Sequence, residues 1–211
     1  NRMEKIRVGD PMDKNTDVGA INSKEQLAKI IELAAVGDSE GAERWSPACN
    51  LPSKGFWFAP TIFTGVTQSH RIAREEIFGP VLSVLTFRTP QEGLDKANNT
   101  PFGLSAGIWS EKGSKILWAS QKLKAGVVWA NTFNKFDPTS PFGGYKESGW
   151  GREGGRHGFG PGGHRLAPGI DRMGRVARRL RNSTASVIGG EQVCLKLGQL
   201  AGAEQALGVD D

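Results

Sequence analysis

Short apolar runs alternate with helix-forming segments along the chain. Continuous apolar, β-branched stretches over 81–87, 104–109 and 127–130 predict three strands, because strands buried on both faces lack polar alternation. The segments between them, 90–99 and 111–123, place apolar residues at helical spacing. Strand, helix, strand, helix and strand joined by short connections predict an α/β fold with a parallel sheet.

Capping residues indicate where the helices begin. Ser23 and Thr89 each precede a glutamine or glutamate at the third helical position, as in a capping box. The helix after Ser23 is predicted to end at Gly37. A further helix is predicted to start at a Ser110 cap and to end before Gly126.

The remaining segments of the first 157 residues predict loops and one extended stretch. The polar segment 38–55 predicts a loop. The aromatic and β-branched segment 56–66 predicts an extended stretch or an edge strand, since it contains Pro60. The long glycine-rich segment 131–152 follows the last predicted strand, where parallel sheets carry their chemistry, and its aromatic residues indicate a folded, site-forming loop.

Composition excludes several classes of protein. Among 211 residues, two cysteines and three scattered histidines supply neither a disulfide framework nor a zinc site, so we expect no metal. Because no run approaches about 18 apolar residues, we expect no membrane span. The chain starts at Asn1 without an apolar signal-peptide core, which favours a piece of a longer, cytoplasmic protein.

The positive charge is concentrated near the C-terminus. Residues 165–181 hold six arginines and one aspartate, a surplus that equals the whole formal net charge of +5. We therefore predict a folded body over 1–157 and an irregular, partly disordered basic tail over 158–211. Binding of nucleic acid through this run is a weaker alternative, because the run shows no clear apolar face or stripe.

The segment Glu75–Pro80 is the most informative for chemistry. Two adjacent carboxylates enter an aromatic–Gly–Pro turn just before a predicted strand. A carboxylate there can accept hydrogen bonds from a ribose diol, and Phe78 can pack on a flat heteroaromatic ring. On the residues alone, a solvated acid pair beside an apolar anchor is the favoured interpretation, and the ribose site stays open.

Two other features carry less weight. Gly149–Gly154 matches G-x-G-x-x-G, but no predicted strand precedes it, so we interpret it as a coincidence. Cys49 lies in a proline-bounded loop and Cys194 in a weak apolar run. Neither context supplies the nearby base, helix N-terminus or cation that activates a catalytic thiol, so we expect neither to be a nucleophile.

The chain nevertheless resembles the aldehyde dehydrogenase superfamily. Four segments carry the resemblance in order and spacing, and they are Glu75–Pro80, Ala97–Leu104, Ala125–Asn131 and Pro141–Glu153. The resemblance spans about 2–157 and implies part of an α/β catalytic domain, that is, an incomplete parallel sheet. Members oxidise aldehydes to carboxylic acids with NAD or NADP, using a cysteine that attacks the aldehyde.

The resemblance also implies roles for particular residues. Glu76 matches the glutamate that binds the nicotinamide ribose, and Phe78 matches the aromatic residue beside the nicotinamide. Asn131 falls at the rim of the active-site channel. Phe136 and Phe142 fall where aromatic residues line the aldehyde tunnel, which favours apolar aldehydes.

Departures from the family pattern limit these expectations. The family's nucleophile, general base and oxyanion donor lie upstream of the matched segment, so we expect no catalytic residue here and no activity from these residues alone. Where the family continues toward a strand that joins a partner subunit, this chain has the glycine-rich segment 158–164. Homo-oligomer formation is therefore expected to be impaired. A non-catalytic interaction protein of the same fold remains the alternative.

Overall fold

The computed structural model describes residues 3–155 and the backbone of two later strands. The described residues fall into two compact units that divide between Leu85 and Thr86. The helices and strands are α1 (Lys24–Ser39), β1 (Glu43–Trp45), β2 (Thr61–Thr64), β3 (Val81–Leu85), α2 (Pro90–Asn98), β4 (Ser105–Trp109), α3 (Gly113–Lys122), β5 (Val127–Ala130), β6 (Ser186–Gly189) and β7 (Gln192–Lys196). The predicted boundary near Gly158, and all of the predicted tail except β6 and β7, lie outside the described residues.

In the first unit, α1 begins at the predicted cap. The Ser23 Oγ accepts a hydrogen bond from the Gln26 backbone N–H at 3.1 Å, which satisfies one donor of the first turn. The predicted end at Gly37 is wrong, because Gly37 lies inside the helix and is buried. A Cβ there would lie 2.9 Å from Ile72 Cδ1, so this glycine allows close packing, while Gly41, at φ +89°, follows the true end of the helix.

The sheet of the first unit has β2 at its centre. β2 pairs antiparallel with β1 and parallel with β3. The prediction of a loop over 38–55 is therefore wrong for β1, and the prediction of an edge position for β2 is also wrong. Pro60 lies just before the strand, so its missing N–H interrupts no ladder hydrogen bond. Phe63 and Leu85, on β2 and β3, are fully buried and form part of the core.

In the second unit, β4 lies between two parallel neighbours. It pairs in parallel with β5 on one side and with β7 on the other, and β7 pairs antiparallel with β6. The first four residues of β4 are all buried, as expected for a strand covered on both faces. The α/β class with a parallel sheet is thus confirmed.

The two helices of the second unit differ in how they begin. Thr89 caps α2 as predicted, since its Oγ1 accepts the Glu92 N–H at 3.2 Å, with Pro90 in the first turn. The prediction that Ser110 caps α3 is wrong. α3 starts at Gly113, and the Ser110 Oγ instead accepts the Lys112 N–H at 3.2 Å in the preceding turn.

Candidate functional site

The predicted acid pair lies on the connection between a short 3₁₀ turn, Arg71–Ala73, and strand β3. Ile77 points into the core and is 9 % exposed, whereas the Phe78 ring is 67 % exposed. The loop thus has one apolar anchor and presents the next side chain to its surroundings. An exposed ring at a strand entrance is available to stack on a flat partner.

The first of the two adjacent glutamates is held by an arginine of the preceding 3₁₀ turn. The Glu75 carboxylate accepts two hydrogen bonds from the Arg71 guanidinium, at 2.6 Å from Nε and 2.9 Å from Nη2. These bonds hold the pKa of the Glu75 carboxyl below its ordinary value. Glu75 is therefore engaged by Arg71, and both glutamates are half-buried.

The second group of predicted residues lies at the carboxyl end of β5. Its rings form a connected series of contacts. The centroid distances are 6.3 Å for Trp109–Phe133, 4.9 Å for Phe133–Trp129, 5.6 Å for Trp129–Phe136 and 4.9 Å for Phe136–Phe142. The last two pairs are edge-to-face, the geometry that aromatic quadrupoles favour. The structure thus brings Phe136 and Phe142 together.

Backbone hydrogen bonds give the loop that carries these rings a defined shape. Phe142 and Glu153 exchange N–H···O bonds of 2.8 and 2.7 Å, which close the loop on itself. The Trp129 indole N–H donates to the Lys135 carbonyl at 3.0 Å. Within the series, Trp129 is buried and the neighbouring Phe136 is 58 % exposed. The rings together form an apolar wall that is partly open to the surroundings at Phe136.

Asn131 lies where β5 ends, with its backbone in the left-handed region at φ +53°. Its side-chain amide accepts a hydrogen bond from the Ser110 N–H and donates one to the Ser110 carbonyl. The side chain is thus directed to the end of the neighbouring strand β4. This contact is what positions the start of the loop.

Lys146 is a structural contact that the sequence did not reveal. Its ammonium donates hydrogen bonds of 2.9 Å to the carbonyls of Asn98, the last residue of α2, and Thr100, just beyond it. Burial, with a smaller contribution from the positive charge of Lys124, lowers the pKa of Lys146. The contact joins two of the segments that carry the family resemblance, Ala97–Leu104 and Pro141–Glu153.

Other sequence candidates fall outside these clusters. The turn Lys146–Ser148, not a strand, precedes Gly149–Gly154, which agrees with a coincidental match. Cys49 is partly exposed, and Cys194 lies where side chains are not described. Within residues 3–155, no group of His, Cys, Asp and Glu could hold a metal ion. The described helices are too short or too polar to cross a bilayer.

The predicted site residues are divided between the two units. Glu76 and Phe78 belong to the first unit, and the second unit contains Asn131, Phe136 and Phe142. In the second unit, hydrogen bonds hold Asn131, and ring contacts hold Phe136 and Phe142.

Comparison with known proteins agrees with the predicted family. The chain belongs to the aldehyde dehydrogenase family, whose sequence profile matches residues 1–160. It is 44 % identical to retinal dehydrogenase 2 of Rattus norvegicus over 158 residues, which cover 75 % of this chain and 30 % of that protein. It spans about a third or less of the length of the first curated relatives it matches.

Solved structures show the same likeness. The crystal structure of an NAD-dependent aldehyde dehydrogenase from Sinorhizobium meliloti matches with a TM-score of 0.71 and 43 % identity, covering 74 % of this chain and 31 % of that one. An indole-3-acetaldehyde dehydrogenase from P. syringae, in complex with NAD+ and IAA, matches with a TM-score of 0.70 and 42 % identity, covering 74 % and 32 %. The predicted family and fold class are thereby confirmed.

Proposed function

We propose that this chain supplies the nicotinamide–ribose contact and part of the aldehyde channel of an enzyme that oxidises an aldehyde to a carboxylic acid with NAD or NADP. The observation that carries the proposal is the placement of Glu76 and the 67 % exposed Phe78 ring two residues apart on the short segment that leads into β3. The neighbouring Glu75 is paired with Arg71. The family membership supplies the reaction class.

The residues present fit the nicotinamide half of a dinucleotide. An ionised carboxylate has acceptor sites for both hydroxyls of a ribose diol, so Glu76 is assigned to the ribose. The Phe78 ring offers an apolar surface against which a flat ring can pack. The dinucleotide, when bound, supplies the hydride acceptor. The two residues contribute orientation of the ring and ribose.

The aromatic wall favours an apolar aldehyde. Trp129, Phe136 and Phe142 meet edge to face, and the Phe136 ring exposes carbon surface. Such a lining excludes water from the reacting carbonyl and binds apolar groups through buried area. Among the similar proteins, the names retinal dehydrogenase and indole-3-acetaldehyde dehydrogenase denote large apolar aldehydes, which supports this choice. We assign Asn131 to the rim of this channel.

The 211 residues alone are proposed to be inactive. The reaction needs an activated thiolate and donors for the oxyanion, and no residue of the matched segments is assigned to those roles. We also propose that the parent protein is cytoplasmic, and that the segment after residue 157 impairs the family's homo-oligomer.

A chimera tests the function directly. Residues 3–155 would replace the corresponding segment of the Sinorhizobium meliloti aldehyde dehydrogenase, which is 43 % identical to this chain. We expect NADH formation with an apolar aldehyde. Glu76→Gln should raise the KM for NAD about tenfold or more, because a charge-assisted hydrogen bond to the ribose is weakened.

Matched variants make the chimera decisive. Phe136→Ala should raise the KM for an aromatic aldehyde more than the KM for acetaldehyde, and Glu111→Gln, at an exposed loop position, should change neither. A folded chimera without activity would favour the non-catalytic alternative. Unchanged cofactor kinetics in the Glu76 variant would contradict the ribose assignment.

A further inference from the structure

We propose that Gln26 and Arg71 are positioning residues that hold the segment Glu76–Phe78 at its two ends. Glu75 stabilises that segment through its contact with Arg71 and does not bind the ligand. The proposal rests on the proposed ribose site and assigns how that site is built. Its evidence lies entirely within the first unit.

Arg71 holds the entrance of the segment. Besides the two-fold contact with Glu75, its Nη2 lies 3.6 Å from Glu32 Oε1 on α1. Its backbone N–H donates to Glu40 Oε2, beyond the end of α1, at 2.8 Å. One residue therefore links the helix to the acid loop through both its side chain and its backbone. A planar guanidinium is required for the paired contact, since an ammonium is a point charge.

Gln26 holds the exit of the segment. Its backbone N–H donates to the Ser23 Oγ that caps α1, and its Nε2 donates to the Phe78 carbonyl at 3.0 Å. In a capping box, the side chain at this position turns back toward the cap residue. Here it reaches across to the loop, 52 positions along the chain. The start of α1 is thus tied to the backbone that carries the exposed ring.

Close packing reinforces the exit. Gly79 lies against α1 so tightly that a Cβ there would be 2.5 Å from Ile30 Cδ1. Ile77 is buried one residue before Phe78. The segment between Glu75 and Gly79 is therefore short and fixed at both ends. Such anchoring sets the direction of the intervening Glu76 carboxylate before any ligand binds.

The test uses the full 211-residue chain with nicotinamide mononucleotide as the probe, because that molecule carries the ribose diol and the ring without the second nucleotide. Hydrogen exchange of residues 70–80, probe affinity by NMR and the melting temperature are measured together. Gln26→Leu removes the bond to Phe78 but keeps helix propensity. Arg71→Lys keeps the charge but loses the paired contact. Gln91→Leu, which removes an exposed side-chain bond to Asp95 within α2, is the control.

We expect Gln26→Leu and Arg71→Lys to speed hydrogen exchange of residues 70–80 at least about tenfold and to lower the affinity for the probe about fivefold. The control variant should change neither quantity. Glu75→Gln should likewise speed hydrogen exchange and lower probe affinity, whereas Glu76→Gln should lower probe affinity without changing exchange. The double variant Arg71→Glu/Glu75→Arg reverses both charges of the pair. It should show slower hydrogen exchange and higher probe affinity than either Arg71→Glu or Glu75→Arg alone.

Each contrary result has a distinct meaning. Unchanged exchange in the Gln26 and Arg71 variants would overturn the proposed anchoring. Faster exchange with unchanged probe affinity would show that the two residues are structural only. A wild-type chain that binds no probe while the exchange effects hold would overturn the ribose site itself and leave the anchoring intact.

Discussion

The Asn131 side-chain amide makes two hydrogen bonds with the backbone of Ser110, accepting its N–H at 2.9 Å and donating to its carbonyl at 3.0 Å. Ser110 follows β4 and Asn131 follows the parallel neighbour β5, so the amide joins the carboxyl ends of two strands. Because an amide offers a donor and an acceptor together, asparagine is suited to this place. It also tolerates the left-handed φ of +53°.

Replacing Asn131 should therefore loosen the start of the aromatic loop. Asn131→Gly accepts the backbone conformation but loses both bonds, and we expect a loss of about 2 kcal/mol in the free energy of unfolding, measured with urea. Asn134→Gly, at an exposed position with φ +56°, is the matched control and should change stability by less than about 0.5 kcal/mol. Equal effects of the two substitutions would contradict the hydrogen-bond explanation.

Gly126 separates α3 from β5 at a point where two backbones meet. A Cβ at this position would overlap the Gly143 carbonyl oxygen, and that backbone atom cannot rotate away. Gly126→Ala should destabilise the chain by about 3 kcal/mol or more, or displace the loop. Gly113→Ala should be neutral or stabilising, since its Cβ would meet open space at the start of α3. Thermal unfolding of the two alanine variants gives the comparison.

Local signals accounted for most of the fold. The capping sequences at Ser23 and Thr89 predicted helix starts correctly, because a cap depends on residues within one turn. The helix end predicted at Gly37 was wrong, because a glycine is needed there for the close packing of Ile72 against α1 and not for a turn. β1 was missed since a three-residue, exposed strand is defined by its partner β2 and has little pattern of its own.

The site was predictable only in part. The Glu75–Pro80 segment and the ring-rich loop stood out by composition, since both combine aromatic, glycine and charged residues in an unusual order. The contacts that hold them did not, because Gln26 and Phe78, or Lys146 and Asn98, are distant in sequence. The Arg71–Glu75 contact also depends on the 3₁₀ turn Arg71–Ala73, which was not predicted from the sequence.

Thr89 and Ser110 offer a test of which hydroxyl is a helix cap. Thr89→Ala should lower the free energy of unfolding by about 1 kcal/mol, because the Glu92 N–H loses its acceptor in the first turn of α2. Ser110→Ala removes only a hydrogen bond in the exposed turn before α3 and should have less than half that effect. Chemical denaturation of both variants decides the matter, and a larger loss for Ser110 would indicate that it contributes to α3 after all.

The contribution of the Glu75–Arg71 pair to the free energy of unfolding should depend on pH in the acid range. Since the pair lowers the carboxyl pKa in the folded chain, its contribution to stability is complete above the unfolded value, about 4.3 for glutamate, and is lost as pH falls through the lower folded value. Urea unfolding of the wild type and of Glu75→Gln should therefore differ most above about pH 5 and converge at the acid end. Glu111→Gln, in an exposed loop, should leave the wild-type curve in place. A difference between wild type and Glu75→Gln that stays constant through the acid range would show that the carboxylate charge is not what stabilises the loop.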